Sequence, residues 1–276
     1  MLLRVSGTGR VRARRGLALI RAIKLTKTFG DLQAVSAVDL HVQPGEIFGF
    51  LGPNGAGKTT TIRMLTGLLR PTSGQAMIGG YDIQTHPVEA KSLLGYVPDA
   101  PVLYEKLTGR EFLDFMADLY RVEPRRKKTR ISELLELFDL TERADDLIGS
   151  YSRGMKQKIA VAAALIHDPK VLILDEPTVG LDPRGARVLK DVLRALAQRK
   201  VTIFMSTHIL EIAERMCTRV GIIDRGKIVA CGTVPELRIL SREASGTLED
   251  IFLKLTGGVE YAEIVRFLEE GEEPPR

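Results

Sequence analysis

The chain has 276 residues, of which 44% are hydrophobic and 27% charged, a composition typical of a globular protein with a substantial core. Its net charge is +5, but eight basic and no acidic side chains fall within residues 1–30. The rest therefore carries −3, which argues against a nucleic-acid-binding surface. No run of about eighteen apolar residues occurs, which excludes a membrane-spanning helix.

The two ends of the chain differ in composition from the body. Residues 1–18 are rich in arginine and without convincing periodicity. We expect a disordered tail there, with a membrane or partner contact and a transit peptide as alternatives. Residues 258–276 form a charged C-terminal extension. The two cysteines, Cys217 and Cys231, lack metal-ligand spacing and indicate a reducing, cytosolic setting.

The first predicted elements are strands. Residues 19–23 are predicted to be an edge strand and residues 27–30 a turn. Residues 34–42 alternate between apolar and polar side chains, as a strand with one buried face does. Residues 75–78 are predicted to be a further strand that ends at a Gly-Gly pair.

A phosphate-binding loop is predicted after the apolar strand at residues 47–51. Residues 52–59 match the pattern G-x-x-x-x-G-K-[ST] at every fixed position, and apolar residues at helical spacing follow. Glycines let backbone N–H groups approach phosphate oxygens, and the helix directs its positive end toward the anion. The residues expected to bind nucleotide here are Gly52, Pro53, Asn54, Gly55, Ala56, Gly57, Lys58, Thr59 and Thr60.

Two side chains of this loop have distinct expected roles. Lys58 would place a positive charge against the outer phosphates and assist catalysis, and the Thr59 hydroxyl suits a Mg²⁺ ligand. A dinucleotide-binding turn is excluded, because the G-x-G-x-x-G pattern that begins at Gly55 has Thr60 in its last position.

Between residues 101 and 148 the sequence predicts helices and no strands. Thr108 and Glu111 form a capping box before one helix, and a second helix follows Pro124. The simplest interpretation is a helical subdomain of about residues 98–160 that is inserted into an α/β core.

Two buried strands return after the helical region. Residues 171–174 are continuously apolar, as strands covered on both faces require. A predicted helix over residues 185–198 connects them to a second such strand at residues 201–205, which predicts a parallel pair. Residues 220–230 are predicted to be a hairpin.

Polar side chains follow both buried strands at their carboxyl ends, where parallel sheets bind ligands. Asp175 is expected to bind Mg²⁺, and Glu176 to act as the general base on an attacking water. His208 could contact the γ-phosphate or that water, although a lone histidine in such a place is more often structural. Ser152 and Gly154 open another apolar helix, which is either a second anion-binding helix end or a plain capped helix.

These motifs together resemble the nucleotide-binding subunits of ATP-binding cassette (ABC) transporters, over about residues 19–257. Residues 52–59 resemble the Walker A motif and residues 172–176 the Walker B motif. The other matches, in the family's order and spacing, are the serine and second glycine of the LSGGQ signature (Ser152, Gly154), the D-loop (180–183), the switch histidine (His208) and the aromatic residue that stacks on adenine (Phe29).

The resemblance implies an α/β fold with a P-loop NTPase core, a mostly parallel sheet, an antiparallel edge subdomain and an inserted all-helical subdomain. It also implies a Mg²⁺-dependent ATPase that forms a head-to-tail dimer. Ser152 and Gly154 of one subunit would meet the γ-phosphate of ATP bound by the other. A separate polytopic permease would receive the motion at the cytoplasmic face of the cell membrane, and no nucleic-acid partner is expected.

Two departures from the family pattern stand out. The signature reads YSRGM, with Arg153 and Met155 in place of glycine and glutamine. Asp99 stands at the position of the Q-loop glutamine, where its shorter, charged side chain would bind Mg²⁺ or water differently. Residues 247–257 resemble the ending of bacterial ABC ATPases that serve exporters of drugs, lipids or polysaccharides, which favours export.

Three other functions stay open at this point. One is a non-transport ABC ATPase that acts on nucleic acid or ribosomes, although such relatives often carry paired cassettes or coiled-coil insertions that this sequence lacks. Another is a soluble single-cassette ATPase that serves as an assembly scaffold. The third is a nucleotide-binding regulator without turnover, for which Asp99 is the only indication.

Overall fold

The computed structural model describes residues 19–241 and 246–256, so the predicted tail at 1–18 and extension at 258–276 lie outside the described residues. In chain order the strands are β1 (Ile20–Phe29), β2 (Leu32–Val42), β3 (Ile47–Leu51), β4 (Ser73–Ile78), β5 (Tyr81–Asp82), β6 (Leu94–Val97), β7 (Val171–Asp175), β8 (Thr202–Ser206), β9 (Arg219–Asp224) and β10 (Lys227–Gly232). The helices are α1 (Lys58–Leu65), α2 (Pro87–Ser92), α3 (Gly109–Leu119), α4 (Pro124–Leu137), α5 (Arg153–Leu165), α6 (Pro183–Gln198), α7 (Leu210–Met216), α8 (Val234–Ser241) and α9 (Leu248–Leu255).

The larger sheet has six strands in the order β10-β9-β3-β8-β7-β6. The five strands β9, β3, β8, β7 and β6 run parallel, and β10 pairs antiparallel with β9 through the predicted hairpin. Every residue of β3, β7 and β8 is buried, because helices and the smaller sheet cover both faces. The carboxyl ends of these three strands therefore meet at one edge, as predicted.

The smaller sheet is antiparallel, with the order β2-β1-β4-β5. Residues 19–23 are predicted to be an edge strand, and this position is wrong, because β1 pairs with β2 on one side and with β4 on the other. The predicted turn at residues 27–30 is also wrong for its first three residues. A register shift beside Lys24, whose φ is 46°, lets β1 continue to Phe29 before it turns.

The described stretch between β6 and β7 contains helices and no strand, apart from one isolated antiparallel bridge between Thr108 and Leu147. Helix α3 begins with the predicted capping box, in which the side chains of Thr108 and Glu111 each accept from the other's backbone N–H. Apolar faces of α3, α4 and α5 share one core with β7 and β8. The limits of a helical subdomain at residues 98–160 stay a prediction. Within the described ranges, no helix is both long and apolar enough to cross a bilayer.

Candidate functional site

The loop at residues 52–57 connects β3 to α1, and its shape depends on two glycines. A Cβ atom at Gly52 would lie 2.3 Å from the carbonyl oxygen of Ile223. At Gly57, which caps α1 with a φ of 105°, it would lie 2.6 Å from that of Ala34. Because neither clash is with a flexible side chain, only glycine fits at either position. The loop therefore presents the N-terminal end of α1 to a ligand.

Lys58 is the first residue of α1 and its side chain turns back over the loop. The Nζ atom donates to the carbonyl oxygen of Gly52 at 2.7 Å and to that of Pro53 at 3.0 Å. Burial lowers the pKa of Lys58 from its ordinary value of 10.5, while the negative charges of Glu176 and Asp175 act to raise it. These two carboxylates therefore favour the charged lysine that a phosphate requires.

Asp175 is the last residue of β7 and only 2% of it is exposed. Its Oδ1 atom accepts a hydrogen bond of 2.5 Å from the hydroxyl of Ser206, which lies directly opposite it on β8. The bond fixes one carboxylate oxygen and leaves the other for a ligand. Sequence reasoning assigned no role to Ser206, because its proximity to Asp175 comes from the register of two strands that are far apart in sequence.

Glu176 follows with a φ of 50°, an unusual backbone conformation for a residue with a side chain. Its N–H donates to the Ser206 Oγ atom at 3.1 Å. Its Oε2 atom lies 2.9 Å from Nδ1 of His208 and accepts from the His208 N–H at 3.3 Å. Because both contacts use Oε2, the Oε1 atom stays available to accept a proton from a water molecule.

The phosphate loop and the carboxylates enclose one cavity of about 250 Å³. Its lining residues are Ala34, Asn54, Gly55, Gly57, Lys58, Thr59, Thr60, Asp99, Asp175 and Glu176. Ala34 was missed by sequence reasoning, and only its position on β2 brings it here. Phe29 lies at the end of β1, half-exposed, with the Lys27 Nζ atom 5.0 Å from its ring centre. It does not line the cavity.

Ser152 and Gly154 also lie outside this cavity. Ser152 caps α5, and its hydroxyl accepts from the N–H of Met155 at 3.3 Å. At Gly154 a Cβ atom would lie 3.1 Å from the carbonyl oxygen of Gly180. The start of α5 thus packs against the segment that follows Glu176 in the same chain, while Ser152 itself is exposed.

The donor groups at the cavity fit a hard divalent cation. Thr59 is exposed, and its hydroxyl has no hydrogen-bond partner among the described residues, while Asp175 keeps one unbound carboxylate oxygen. In the part of the chain that the structure describes, no three acidic, histidine or cysteine side chains converge to hold a metal alone. Mg²⁺ typically takes one or two protein ligands and completes its shell with phosphate and water.

Comparison with known proteins gives the class of protein that the sequence motifs resemble. Residues 35–179 match the family model described as ABC transporter. Over 219 residues the chain is 41% identical to the linearmycin resistance ATP-binding protein LnrL of Bacillus subtilis, covering 79% of this chain and 70% of LnrL. It is 43% identical over 212 residues to the bacitracin transport ATP-binding protein BcrA of Bacillus licheniformis, covering 76% and 68%.

A solved structure of an ATP-binding subunit of an ABC transporter superposes with a TM-score of 0.83 at 32% identity, covering 86% of this chain and 99% of that one. The fold is that of a P-loop NTPase, as predicted. The chain belongs to the ABC transporter family. It binds ATP and is the ATP-hydrolysing subunit of a transporter.

Proposed function

We propose that this subunit hydrolyses Mg²⁺-bound ATP at the cavity between the phosphate loop and Glu176, and so drives export by a membrane-embedded partner. The carrying observation is the pair formed by Glu176 and His208, held beside Asp175 by Ser206. A carboxylate with one oxygen fixed and one available is suited to orient and deprotonate a water molecule.

The other side chains of the cavity would act on the phosphates. Lys58 would stabilise the negative charge that builds up on them in the transition state. Thr59 and Asp175 would hold Mg²⁺, which would neutralise phosphate charge, and Asp99 would reach it directly or through water. Phe29, exposed at the end of β1, would stack on the adenine.

A second copy of the subunit would complete the site. Ser152 and Gly154 lie outside the cavity of their own chain, yet they begin a helix of 13 residues whose N-terminal end is suited to an anion. A head-to-tail dimer would bring them to the γ-phosphate held by the partner. ATP would then favour the closed dimer, and hydrolysis would remove the contact that closes it.

The permease would bind an apolar groove on the helical region, which we call the docking groove. It measures about 840 Å³ and is lined by residues 101–107 and Phe115. Val102 is 95% exposed and Tyr104 58% exposed. Exposed apolar patches of this kind mark protein interfaces. Asp99, at the nucleotide cavity, is three residues from Val102, so this short segment would carry movement between the two sites.

Export is the direction that the relatives support, since LnrL is named a resistance protein and BcrA a bacitracin transport protein. We therefore propose that the subunit serves an exporter, at the cytoplasmic face of the cell membrane. It would be held there by the permease.

The test is Glu176→Gln. The amide keeps the size of the side chain but cannot take a proton, so ATP hydrolysis should fall by about 10²–10⁴-fold while ATP binding persists and a closed dimer accumulates. Steady-state hydrolysis and size-exclusion chromatography with Mg²⁺ and ATP measure both. Glu211→Gln, on an exposed carboxylate that pairs with Arg215, is the matched control. Near-normal hydrolysis by the Glu176 variant would refute the assigned role.

A further inference from the structure

The backbone at Glu176 has a conformation that its own sequence does not favour. A residue with a side chain rarely has a φ of 50°, and a residue that precedes proline, as Glu176 precedes Pro177, normally has an extended backbone. Such a conformation persists only where surrounding contacts impose it. The direction of the Glu176 carboxylate therefore depends on what holds the chain on both sides of this residue.

On the side that precedes Glu176, the contacts come from β8. The Glu176 N–H donates to the Ser206 Oγ atom at 3.1 Å and to the Ser206 carbonyl oxygen at 3.3 Å. On the other side, the Glu176 carbonyl oxygen accepts from the Val179 N–H at 3.1 Å. That last bond closes a turn on itself and does not attach the turn to the rest of the molecule.

The turn is attached by Gln157, which lies on α5. Only 3% of Gln157 is exposed, and its Nε2 atom donates to the carbonyl oxygen of the buried Pro177 at 3.3 Å. In the described part of the chain, this amide is the one hydrogen-bond partner of that carbonyl. The Thr178 hydroxyl is also buried and has no partner among the described residues, so it does not hold the turn. One amide on α5 therefore fixes the peptide group that follows Pro177.

We propose that Gln157 is a positioning residue for ATP hydrolysis, because its bond to the Pro177 carbonyl keeps the Glu176 backbone in its left-handed conformation. The proposal rests on the role of Glu176 as the base in the proposed function. Gln157 lies outside the nucleotide cavity, so its effect passes through Glu176. A base transfers a proton only within hydrogen-bond distance, and a small displacement lowers the rate strongly. Loss of the amide should therefore lower kcat and leave the KM for ATP unchanged.

The main test is Gln157→Met in the full-length protein, which removes the amide and keeps a side chain of similar size. The kcat of ATP hydrolysis should fall by about tenfold or more at a wild-type KM. Added to Glu176→Gln, the substitution should lower the residual rate no further, because the base through which Gln157 acts is already lost. Gln198→Met, at the exposed last residue of α6, is the matched control and should keep the wild-type rate. Hydrolysis of radiolabelled ATP measures all four variants, and circular dichroism gives the folded fraction.

Gln157→Glu supplies a second test that does not depend on the methionine variant being folded. The ionised carboxylate cannot donate to the Pro177 carbonyl, whereas the protonated carboxyl can. Burial should raise the pKa of this carboxyl, so kcat per folded protein, relative to the wild type, should rise as the pH falls from about 8 to 6. The same ratio for Gln157→Met should stay constant. A constant ratio for Gln157→Glu would contradict the donated hydrogen bond.

The remaining outcomes separate this proposal from the one on which it rests. If Glu176→Gln hydrolyses ATP at a near-normal rate, the base is wrongly assigned and the role of Gln157 falls with it. If Glu176→Gln is impaired and Gln157→Met keeps the wild-type kcat, the base stands and the role of Gln157 is wrong. If Gln157→Met raises the KM for ATP, or lowers the residual rate of Glu176→Gln by the same factor, Gln157 acts by another route, which overturns the proposal.

Discussion

The Ser206 hydroxyl joins the two acidic residues of the site. It donates to Asp175 Oδ1 at 2.5 Å and accepts from the Glu176 N–H at 3.1 Å. One small side chain on β8 therefore orients both the proposed metal ligand at the end of β7 and the proposed base that follows it. Such supporting hydrogen bonds typically change metal affinity by about 10- to 100-fold when they are removed.

Ser206→Ala should consequently raise the Mg²⁺ concentration that gives half-maximal ATP hydrolysis by about 10- to 100-fold. The carboxylate of Asp175 would lose its fixed orientation, and the folded chain would lose about 1–3 kcal/mol of stability, because a buried group loses its partner. Mg²⁺ titration of the ATPase rate and urea unfolding measure the two effects. Ser132→Ala, on α4, removes a hydroxyl whose one partner among the described residues is the Lys128 carbonyl, and it should change neither. An unchanged Mg²⁺ requirement would count against the role of Ser206.

At the residue scale, the sequence predicts a site residue when the residues it acts with are close to it in the chain. Residues 52–59 form a contiguous pattern, and each one of the predicted loop residues is adjacent to the next in the chain. Ser206 could not be assigned in this way, because its contact with Asp175 arises only when β7 and β8 pair in the observed register. The roles of all the predicted site residues, including Ser152, Gly154, Phe29 and Asp99, stay predictions.

At the scale of elements, the junction of α3, α4 and α5 contains a half-buried histidine, His167, whose two ring nitrogens are buried. The ring of His167 stacks on Tyr120, with 3.8 Å between ring centres, and neither ring nitrogen has a hydrogen-bond partner among the described residues. Burial lowers the pKa of His167 to about 4, while the nearby backbone of Leu94 and the charge of Asp168 act to raise it and the charge of Arg130 acts to lower it. The folded chain thus resists protonation at a site that the unfolded chain protonates near pH 6.5.

Acid should therefore destabilise the helical region through this residue. Between about pH 6.5 and pH 4 the unfolded chain binds the proton and the folded chain does not, so stability falls as the pH falls through this window. His167→Phe keeps the stacking and removes the titration. The free energy of unfolding of the variant, minus that of the wild type, should be about 2 kcal/mol larger at pH 5 than at pH 7.

Urea unfolding at the two pH values tests this prediction. The control is His86→Phe, at an exposed histidine that lies near Tyr81, and it should keep the wild-type pH dependence. Equal pH dependence in the wild type and the His167 variant would contradict the prediction.

Elements were predictable where their signal is local. The capping box at Thr108 and the continuous apolar run of β7 are of this kind. Strand β6 was missed, because it has four residues and is defined by its pairing with β7. The position of β1 inside its sheet was missed for the same reason: pairing with β4 involves residues about fifty positions away.

At the scale of the whole molecule, the docking groove and the nucleotide cavity are connected by the segment from Asp99 to Leu107. A charge placed in the groove should weaken attachment to the permease without altering nucleotide binding. Val102→Asp places it at a side chain that is 95% exposed, so folding should be unaffected. We expect the amount of tagged variant recovered with washed membranes of the native host to fall by about tenfold or more, because a charge would be buried without a partner in the interface.

Val88→Asp is the matched control for this experiment. Val88 lies on α2, is 77% exposed and lies outside the docking groove. It should leave membrane recovery at the wild-type level. If the Val102 variant is recovered at the wild-type level, the docking groove is not the contact with the permease, which must then lie on another surface.

The ammonium group of Lys58 has three N–H donors, and the carbonyls of Gly52 and Pro53 take two of them. The third can serve a phosphate oxygen without either carbonyl being released. The ammonium group can therefore stabilise the loop and bind a phosphate oxygen at the same time. Lys58→Ala would remove both the hydrogen bonds that hold the loop and the positive charge that binds phosphate. The loss of ATP affinity should therefore exceed what a single phosphate contact provides.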